Sequence, residues 1–248
     1  MSPAPTAITD TDRAIAALVA ERIPDGATLQ IGIGAVPDAV AGLLAGHRDL
    51  GIHSELFADG LRRLVECGAA SGALKREGRF QAVTTFSFGS PELYAFLDDN
   101  RHVQFEPADQ TNDVRAIAVQ PKFCAVNATM QVDLLGQCAS ESLGSHYISS
   151  TGGQADFMRA AVYSEGGQSF IVTHSTAVNG TISRIQPTLS PGAVVTTHKN
   201  LVDKVVTEHG VAELRGRTIR QRALALIAIA APPFRDGLRA AARALAYL

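Results

Sequence analysis

Glu55 is the residue whose type and setting most favour covalent chemistry in this chain. It lies in the segment LGIHSELFADG (residues 50–60), where a short apolar stretch runs into the start of a helix. We therefore expect a carboxylate at the end of a strand, facing a crevice instead of bulk water. An oriented, desolvated carboxylate can attack a thioester and form a mixed anhydride. The alternative is a surface acid stabilised by the dipole of the following helix.

A turn of small residues later in the chain is the second candidate. The segment SSTGGQADF (residues 149–157) places Gly152 and Gly153 directly before a predicted helix. Backbone N–H groups at such a position can bind an anion or an oxyanion, and the absence of a Cβ lets a substrate approach the backbone. The alternative is a flexible turn with no role in binding.

Gly34 belongs to a third segment, GIGAVP (residues 32–37), which follows a predicted buried strand. Three interpretations stay open at this point. The segment can be only a tight strand-to-helix turn, or a row of N–H groups that binds an acyl oxygen or a phosphate. It can also be a dinucleotide fingerprint, although the third glycine is missing and Pro37 stands where that motif needs flexibility.

The remaining polar residues give weaker signals. His53 lies two positions before Glu55 and is expected on the same strand face. The chain has no Gly-x-Ser-x-Gly elbow that would favour a Ser/His/Asp triad. The other histidines show no ligand spacing, so no metal site is predicted. Asn112 by itself is typical of a cap or a turn, and the polar segment 207–216 of a loop with a helix start.

Composition excludes several classes of partner. Of the 248 residues, 46% are hydrophobic and 19% charged, which is enough for a sizeable core. The net charge of −2 gives no electrostatic footprint for nucleic acid. No apolar run is long enough for a membrane span, and residues 1–12 do not resemble a signal peptide. Three cysteines without a C-x-x-C spacing favour a reducing cytoplasm.

Strand and helix patterns alternate along the chain. Strands are predicted at 27–33, 50–54, 80–85, 103–106, 169–174, 193–197 and 204–207, with two short ones around Asn127 within 123–132. Helices are predicted at 11–22, 37–45, 59–67, 91–97, 156–163, 218–230 and 234–248, with one more ending near 116. This alternation predicts an α/β fold with an open, largely parallel sheet and helices on both faces. Ligands bind beyond the carboxyl ends of such strands, where Gly34 and Glu55 are expected to meet.

Taken together, these segments resemble the C-terminal half of the acetyl-CoA hydrolase/CoA-transferase family, which includes 4-hydroxybutyrate and succinyl-CoA:acetate CoA-transferases. The matching stretches are 32–40, 51–55, 132–137, 152–157, 183–185 and 205–216. The resemblance covers nearly everything from residue 11 to 248. It implies an α/β fold of the CoA-transferase type (NagB/RpiA/CoA-transferase-like). It also implies that residues 1–248 form a single C-terminal catalytic domain, without the N-terminal domain that family members usually carry.

The resemblance implies a role for each candidate residue. Glu55 would be the nucleophile that forms an acyl-glutamyl anhydride and then a glutamyl-CoA thioester. Gly153 would supply a backbone N–H near the reacting oxygen, with a contribution from the turn at Gly34. Asn112 would hydrogen-bond the acyl group or the nucleophile, and Gly152 and Gly153 would contact CoA. Coenzyme A is then a substrate, and no cofactor is implied.

Other functions stay open at the level of sequence. Water could replace the carboxylate acceptor, which would make the protein an acyl-CoA hydrolase. The chain could also be a half-domain that is inactive without an N-terminal partner, or part of a homo-oligomer. A nucleotide-binding oxidoreductase domain ranks last, because the third glycine of its fingerprint is missing. The sequence does not select among acetate, succinate, butyrate and hydroxybutyrate as the acyl group.

Overall fold

The computed structural model describes residues 7–248 of the chain. These residues divide into two compact units. The first consists of the described residues up to Asn127 together with Asp156–Ser169, and the second consists of Ala128–Ala155 and Phe170–Leu248. The segment on which the absence of a signal peptide was predicted lies partly outside the described residues. Within residues 7–248, no helix combines the length and the apolar character needed to cross a bilayer.

The observed elements follow the predicted alternation of strands and helices. The helices are α1 (Asp10–Ala20), α2 (Ala35–Leu43), α3 (Asp59–Glu66), α4 (Pro91–Leu97), α5 (Ala108–Thr111), α6 (Val114–Ala118), α7 (Gln154–Tyr163), α8 (Ile219–Ala228) and α9 (Arg235–Ala244). The strands are β1 (Thr28–Ile31), β2 (Gly51–Phe57), β3 (Ala82–Ser87), β4 (Val103–Phe105), β5 (Cys124–Ala128), β6 (Gln131–Asp133), β7 (Cys138–Ala139), β8 (Ser142–Leu143), β9 (His146–Tyr147), β10 (Gln168–Val172), β11 (Thr176–Ala177), β12 (Ile182–Ser183), β13 (Ile185–Gln186), β14 (Lys204–Thr207) and β15 (Gly210–Glu213).

Five parallel strands form the sheet of the first unit, in the order β5-β1-β2-β3-β4. Helices α2, α3 and α4 connect successive strands, as parallel pairing requires. Strand β1 is buried along its whole length, which is typical of a strand covered on both faces. The prediction of an α/β fold with a largely parallel sheet and flanking helices is confirmed.

Aromatic rings anchor helices to this sheet. The ring of Phe57, at the end of β2, is fully buried and stacks on Phe96 of α4 with 6.2 Å between the ring centroids. Phe123, directly before β5, stacks in the same way on Phe157 of α7. Each buried ring contributes about 1.5–3 kcal/mol relative to an exposed one. The contact between Phe57 and Phe96 holds the carboxyl end of β2 in place.

The second unit contains a mixed sheet and three small ones. Strand β10 pairs parallel with β14, and β14 continues through a tight turn into the antiparallel strand β15. The small sheets are β13-β6-β7, β11-β12 and β8-β9. The buried guanidinium of Arg222 donates hydrogen bonds to the carbonyl oxygens of Leu135, Lys199 and Leu214 at 2.6–2.7 Å. One side chain of α8 thereby fixes three loops.

Strand β2 is longer than predicted. Its ladder with β3 continues to the pairs Leu56–Phe86 and Phe57–Ser87, so Glu55 lies inside the strand and not at its end. The prediction ended the strand at residue 54 because an acid interrupts the apolar run there. Leu56 and Phe57 are buried on opposite faces of the sheet, and their burial stabilises pairing with β3 beyond Glu55.

Two predictions in the second unit are wrong. The strand predicted at 193–197 is absent as an element, and Thr197 alone forms an isolated bridge with Cys138. The preceding Gly192, with a φ of +80°, turns the chain away from strand geometry. Segment 207–216, interpreted as a loop with a helix start, contains β15. Residues of β15 pair with β14 across a short hairpin, with Val206 opposite Val211. This pairing gives the segment its strand conformation.

Candidate active site

Glu55 is the one residue of β2 that is not fully buried. Its backbone is fixed from the neighbouring strand, because Thr84 Oγ1 donates a hydrogen bond to the Glu55 carbonyl oxygen at 3.0 Å. The flanking residues Ser54 and Leu56 are buried and held in register with β3. A half-buried carboxylate on a rigid strand is therefore presented at the carboxyl half of the sheet, where α/β proteins bind ligands.

His53 lies on the same strand face as Glu55 and is 5% exposed. Its Nε2 lies 2.8 Å from the carbonyl oxygen of Thr111, at the end of α5. A carbonyl oxygen only accepts, so this nitrogen carries the proton. Burial lowers the pKa of His53 to about 4, against the Thr111 hydrogen bond that raises it, and the charge of Lys75 lowers it further. The imidazole is therefore neutral at pH 7 and serves as a hydrogen-bond donor.

Asn112 follows Thr111 and caps the carboxyl end of α5. Its side-chain Oδ1 is buried and has no hydrogen-bond partner among residues 7–248. The His53–Thr111 bond places this turn on the strand face that carries Glu55. Buried amide oxygens are usually paired, so an unpaired one on the face that carries Glu55 suits a group that receives a donor from a ligand.

Gly34 forms the turn between β1 and α2. Its φ of +123° is a conformation that residues with a Cβ rarely adopt. Behind the turn, Gln30 and Asn127 exchange two amide hydrogen bonds of 3.1 and 2.8 Å between β1 and β5. Because β1 and β2 are parallel neighbours, Gly34 and Glu55 both lie towards the carboxyl edge of the sheet. The first unit contains Gly34, Glu55 and Asn112, and their assembly into one site stays a prediction.

Gly152 and Gly153 belong to the second unit and stand directly before α7. Gly152 has a φ of +58° and is exposed, whereas Gly153 is buried. The turn is fixed from both sides. Thr151 Oγ1 donates to Glu141 Oε1 at 3.2 Å, and Gln154 Nε2 donates to Ser140 Oγ and Thr197 Oγ1 at 3.0 and 2.9 Å. A rigid glycine turn at a helix N-terminus is suited to binding an oxyanion or a phosphate.

Comparison with known proteins identifies the relatives of this chain. The family described as acetyl-CoA hydrolase/transferase C-terminal domain matches residues 89–242. The chain belongs to this family. The matched region includes Asn112, Gly152 and Gly153, while Gly34 and Glu55 precede it. The resemblance inferred from the sequence motifs is confirmed.

Individual members of the acetyl-CoA hydrolase/transferase family extend the similarity over almost the whole chain. It is 50% identical over 236 residues to succinyl-CoA:cyclohexane-1-carboxylate CoA transferase of Geobacter metallireducens, covering 95% of this chain and 54% of the relative. It is 46% identical over 234 residues to 4-hydroxybutyrate coenzyme A transferase of Clostridium kluyveri, covering 94% and 54%. The chain therefore spans about half the length of the curated relatives it matches.

A solved structure supports the same assignment. The crystal structure of RipA from Yersinia pestis superposes with a TM-score of 0.96 at 39% sequence identity, covering 100% of this chain and 56% of RipA. An identity above a third over the complete chain indicates common descent as well as a common fold. The crystal structure of 4-hydroxybutyrate CoA-transferase from Porphyromonas gingivalis superposes with a TM-score of 0.85 at 41% identity, covering 99% of this chain and 58% of that protein. The CoA-transferase type of fold expected from the resemblance is confirmed.

Two polar residues of the family fold were missed by the sequence analysis. Glu141 is 4% exposed; one carboxylate oxygen binds Thr151 and the other is buried without a partner among the described residues. Thr85 Oγ1, on β3, is likewise buried and unpaired within residues 7–248. Neither residue stands in a motif, and the unpaired state arises from packing. No signal in the sequence could have identified them.

Proposed function

We propose that this chain supplies the nucleophile, Glu55, of an enzyme that transfers CoA between an acyl-CoA and a small carboxylic acid. The observation that carries the proposal is the setting of Glu55, a half-buried carboxylate on an otherwise buried strand in a chain whose relatives are named CoA-transferases. A rigid strand orients the carboxylate, and partial burial removes much of the water that would weaken its attack.

The proposed reaction has balanced steps. A Glu55 carboxylate oxygen attacks the thioester carbon, the C–S bond breaks, and an acyl-glutamyl anhydride and CoA thiolate result. The thiolate then attacks the glutamyl carbonyl carbon, and the acyl group leaves as a carboxylate. A second carboxylate takes CoA from the glutamyl-CoA thioester by the reverse sequence. Coenzyme A is a substrate throughout, and no cofactor or metal enters the proposal.

The other candidate residues would stabilise charge during these steps. In each addition a negative charge develops on a carbonyl oxygen, and N–H donors directed at that oxygen lower the barrier. The turn at Gly152 and Gly153 would supply such donors and contact CoA, with Gly34 as a further N–H donor. The Asn112 amide would hydrogen-bond the acyl group or the Glu55 carboxylate.

A substitution at Glu55 tests the nucleophile. Glu55→Gln keeps the shape of the side chain and removes the charged oxygen, so we expect CoA transfer to fall by at least about 10³-fold. The measurement is CoA transfer from acyl-CoA to labelled acetate, followed by chromatography. Glu77→Gln is the matched control, because Glu77 is an exposed acid of the same unit. Transfer by Glu55→Gln at the control rate would contradict the proposal.

Two further outcomes of this assay define the enzyme. Acyl-CoA loss in the absence of acetate would indicate water as the acceptor and hence a hydrolase.

The chain spans 54% of the length of two relatives, which suggests that a complementary half contributes to the complete site. The assay is therefore run with the chain alone and with the added N-terminal half of a relative. Activity only in the mixture would support a half-domain that needs its partner.

A further inference from the structure

Glu55 and Thr85 are cross-strand neighbours. The register between β2 and β3 pairs Ser54 with Thr84 and Leu56 with Phe86, so Glu55 lies opposite Thr85. Neighbouring strands are about 4.8 Å apart, and paired residues of parallel strands direct their side chains to the same face. The Thr85 hydroxyl is therefore adjacent to the side chain that we propose as the nucleophile.

The two threonines of β3 differ in how their hydroxyl groups are satisfied. Thr84 Oγ1 lies 3.0 and 3.2 Å from the carbonyl oxygens of Glu55 and Phe86. Thr85 Oγ1, one position along the strand, is buried without a hydrogen-bond partner among residues 7–248. A threonine on a strand usually pairs its hydroxyl with backbone or water. The unpaired hydroxyl on the Glu55 face is therefore available to a ligand or to a modified side chain.

Among residues 7–248, Thr28 has a buried, unpaired hydroxyl like that of Thr85, but it lies far from Glu55. Thr28 Oγ1 is also unpaired within the described part of the chain. Thr28 pairs with Gly51 at the amino end of β2, which is four residues and about 13 Å along the strand from Glu55. On the Glu55 face, in contrast, Thr85 Oγ1 and Asn112 Oδ1 are both buried and unpaired.

We propose that Thr85 is a further catalytic residue, whose hydroxyl donates a hydrogen bond to the glutamyl carbonyl oxygen of acylated Glu55. This inference rests on the proposed function. When CoA thiolate attacks the anhydride, the C–S bond forms, and the electron pair of the carbonyl bond moves to that oxygen. The pair returns as the bond to the leaving acyl carboxylate breaks, and no proton is transferred. A donor placed beside this oxygen stabilises the charge where it develops.

The unmodified carboxylate differs chemically from the acylated side chain. Acylation removes the negative charge of Glu55 and leaves a neutral carbonyl oxygen that accepts a hydrogen bond. The neighbouring hydroxyl lies within reach of the new carbonyl oxygen because only the strand spacing separates them. The hydroxyl is thus unpaired in the free protein and becomes paired during the reaction.

The test uses Thr85→Val, Thr85→Ser and the matched control Thr28→Val. Valine has the shape of threonine without the hydroxyl. At both positions it removes a buried unpaired polar group, so thermal stability should be equal to or above that of the original chain. We expect Thr85→Val to lower kcat about 10- to 100-fold, as loss of a catalytic donor does, and Thr28→Val to leave it unchanged. Thr85→Ser should retain most of the rate.

Each outcome decides one claim. If the original chain forms a covalent adduct at Glu55 and Thr85→Val turns over at the original rate, the role of Thr85 is refuted while the proposed function stands. A loss of stability in Thr85→Val that matches its loss of rate, without rescue by Thr85→Ser, also refutes it. If the original chain forms no adduct, alone or with a complementary half, the proposed function fails and the role of Thr85 fails with it.

Discussion

His53 joins two parts of the candidate site through one hydrogen bond. It reaches from the strand of Glu55 to the carbonyl oxygen of Thr111, and the next residue is Asn112. Because its imidazole is neutral at pH 7, the bond does not depend on pH in the physiological range. We therefore propose that His53 is a positioning residue that holds the Asn112 turn against the strand of Glu55.

Two substitutions at His53 separate the contribution of its N–H donor from the contribution of its side-chain volume. Glutamine can place an amide N–H near the position of Nε2, whereas leucine fills the space without a donor. We expect His53→Leu to lower kcat by about 10- to 100-fold through displacement of the Asn112 turn, with a smaller change in KM. His53→Gln should keep most of the rate. Steady-state kinetics on variants with equal circular dichroism spectra measure this, and equal kcat values for the two variants would contradict it.

The sequence singles out residues with a distinctive setting and gives no signal for residues defined by packing. Glu55 is conspicuous because it is an acid within an apolar segment, and its role as a site residue stays a prediction. Glu141 and Thr85 gave no signal, since an acid between two short strands and a hydroxyl on a strand resemble many others. The burial of Glu141 Oε2 and Thr85 Oγ1, both unpaired within the described residues, depends on neighbours that are distant along the chain.

The turn between β1 and α2 combines open space with a restricted backbone. A Cβ at Gly34 would meet only the Pro37 ring, at 3.8 Å, so volume does not exclude a larger residue. The φ of +123° at Gly34 does exclude a larger residue, because residues with a Cβ rarely adopt it. Gly42, inside α2, also has free space around it, and there the helical backbone suits alanine.

The same substitution should therefore act in opposite directions at these two glycines. Gly42→Ala should raise the free energy of unfolding by about 0.5–1 kcal/mol, because alanine favours a helix. Gly34→Ala should lower it by about 1–3 kcal/mol and reduce CoA transfer, because the turn must change conformation. Urea unfolding of both variants checks this. An equal gain in stability at both positions would show that the Gly34 conformation is not required.

Elements with caps or strong periodicity could be predicted closely. Helix α4 has the predicted bounds, with Ser90 capping it and Pro91 in its first turn. Strand β15 was missed because its strand conformation depends on antiparallel pairing with β14 across the hairpin. Strand β2 was predicted too short because its extension depends on partners in β3.

At the scale of the whole molecule, the alternation of strands and helices was sufficient to predict the α/β class. The division into two units has no linker signal, because the chain enters the second unit at Ala128, leaves it after Ala155 and returns at Phe170. The chain spans about half the length of the curated relatives it matches.

The pH dependence of stability should reflect His53. Its pKa falls from 6.5 to about 4 on folding, so the unfolded chain binds more protons between these values. Stability from this group is present above pH 6.5 and is lost as the pH falls towards 4, by an amount of the order of 3 kcal/mol. His53→Gln should lose less stability over this interval in urea unfolding at pH 4–7. Parallel profiles for the two proteins would contradict the neutral, buried imidazole.

The most direct test of the central claim is the chemical state of Glu55 during turnover. The protein, alone or with a complementary half, is incubated with acyl-CoA, treated with borohydride and digested, and the peptide that contains Glu55 is sequenced by mass spectrometry. Borohydride reduces a glutamyl thioester to an alcohol, so the account predicts this product at Glu55 only when acyl-CoA was present. CoA transfer with an unmodified Glu55, or with the modification at another residue, would contradict it.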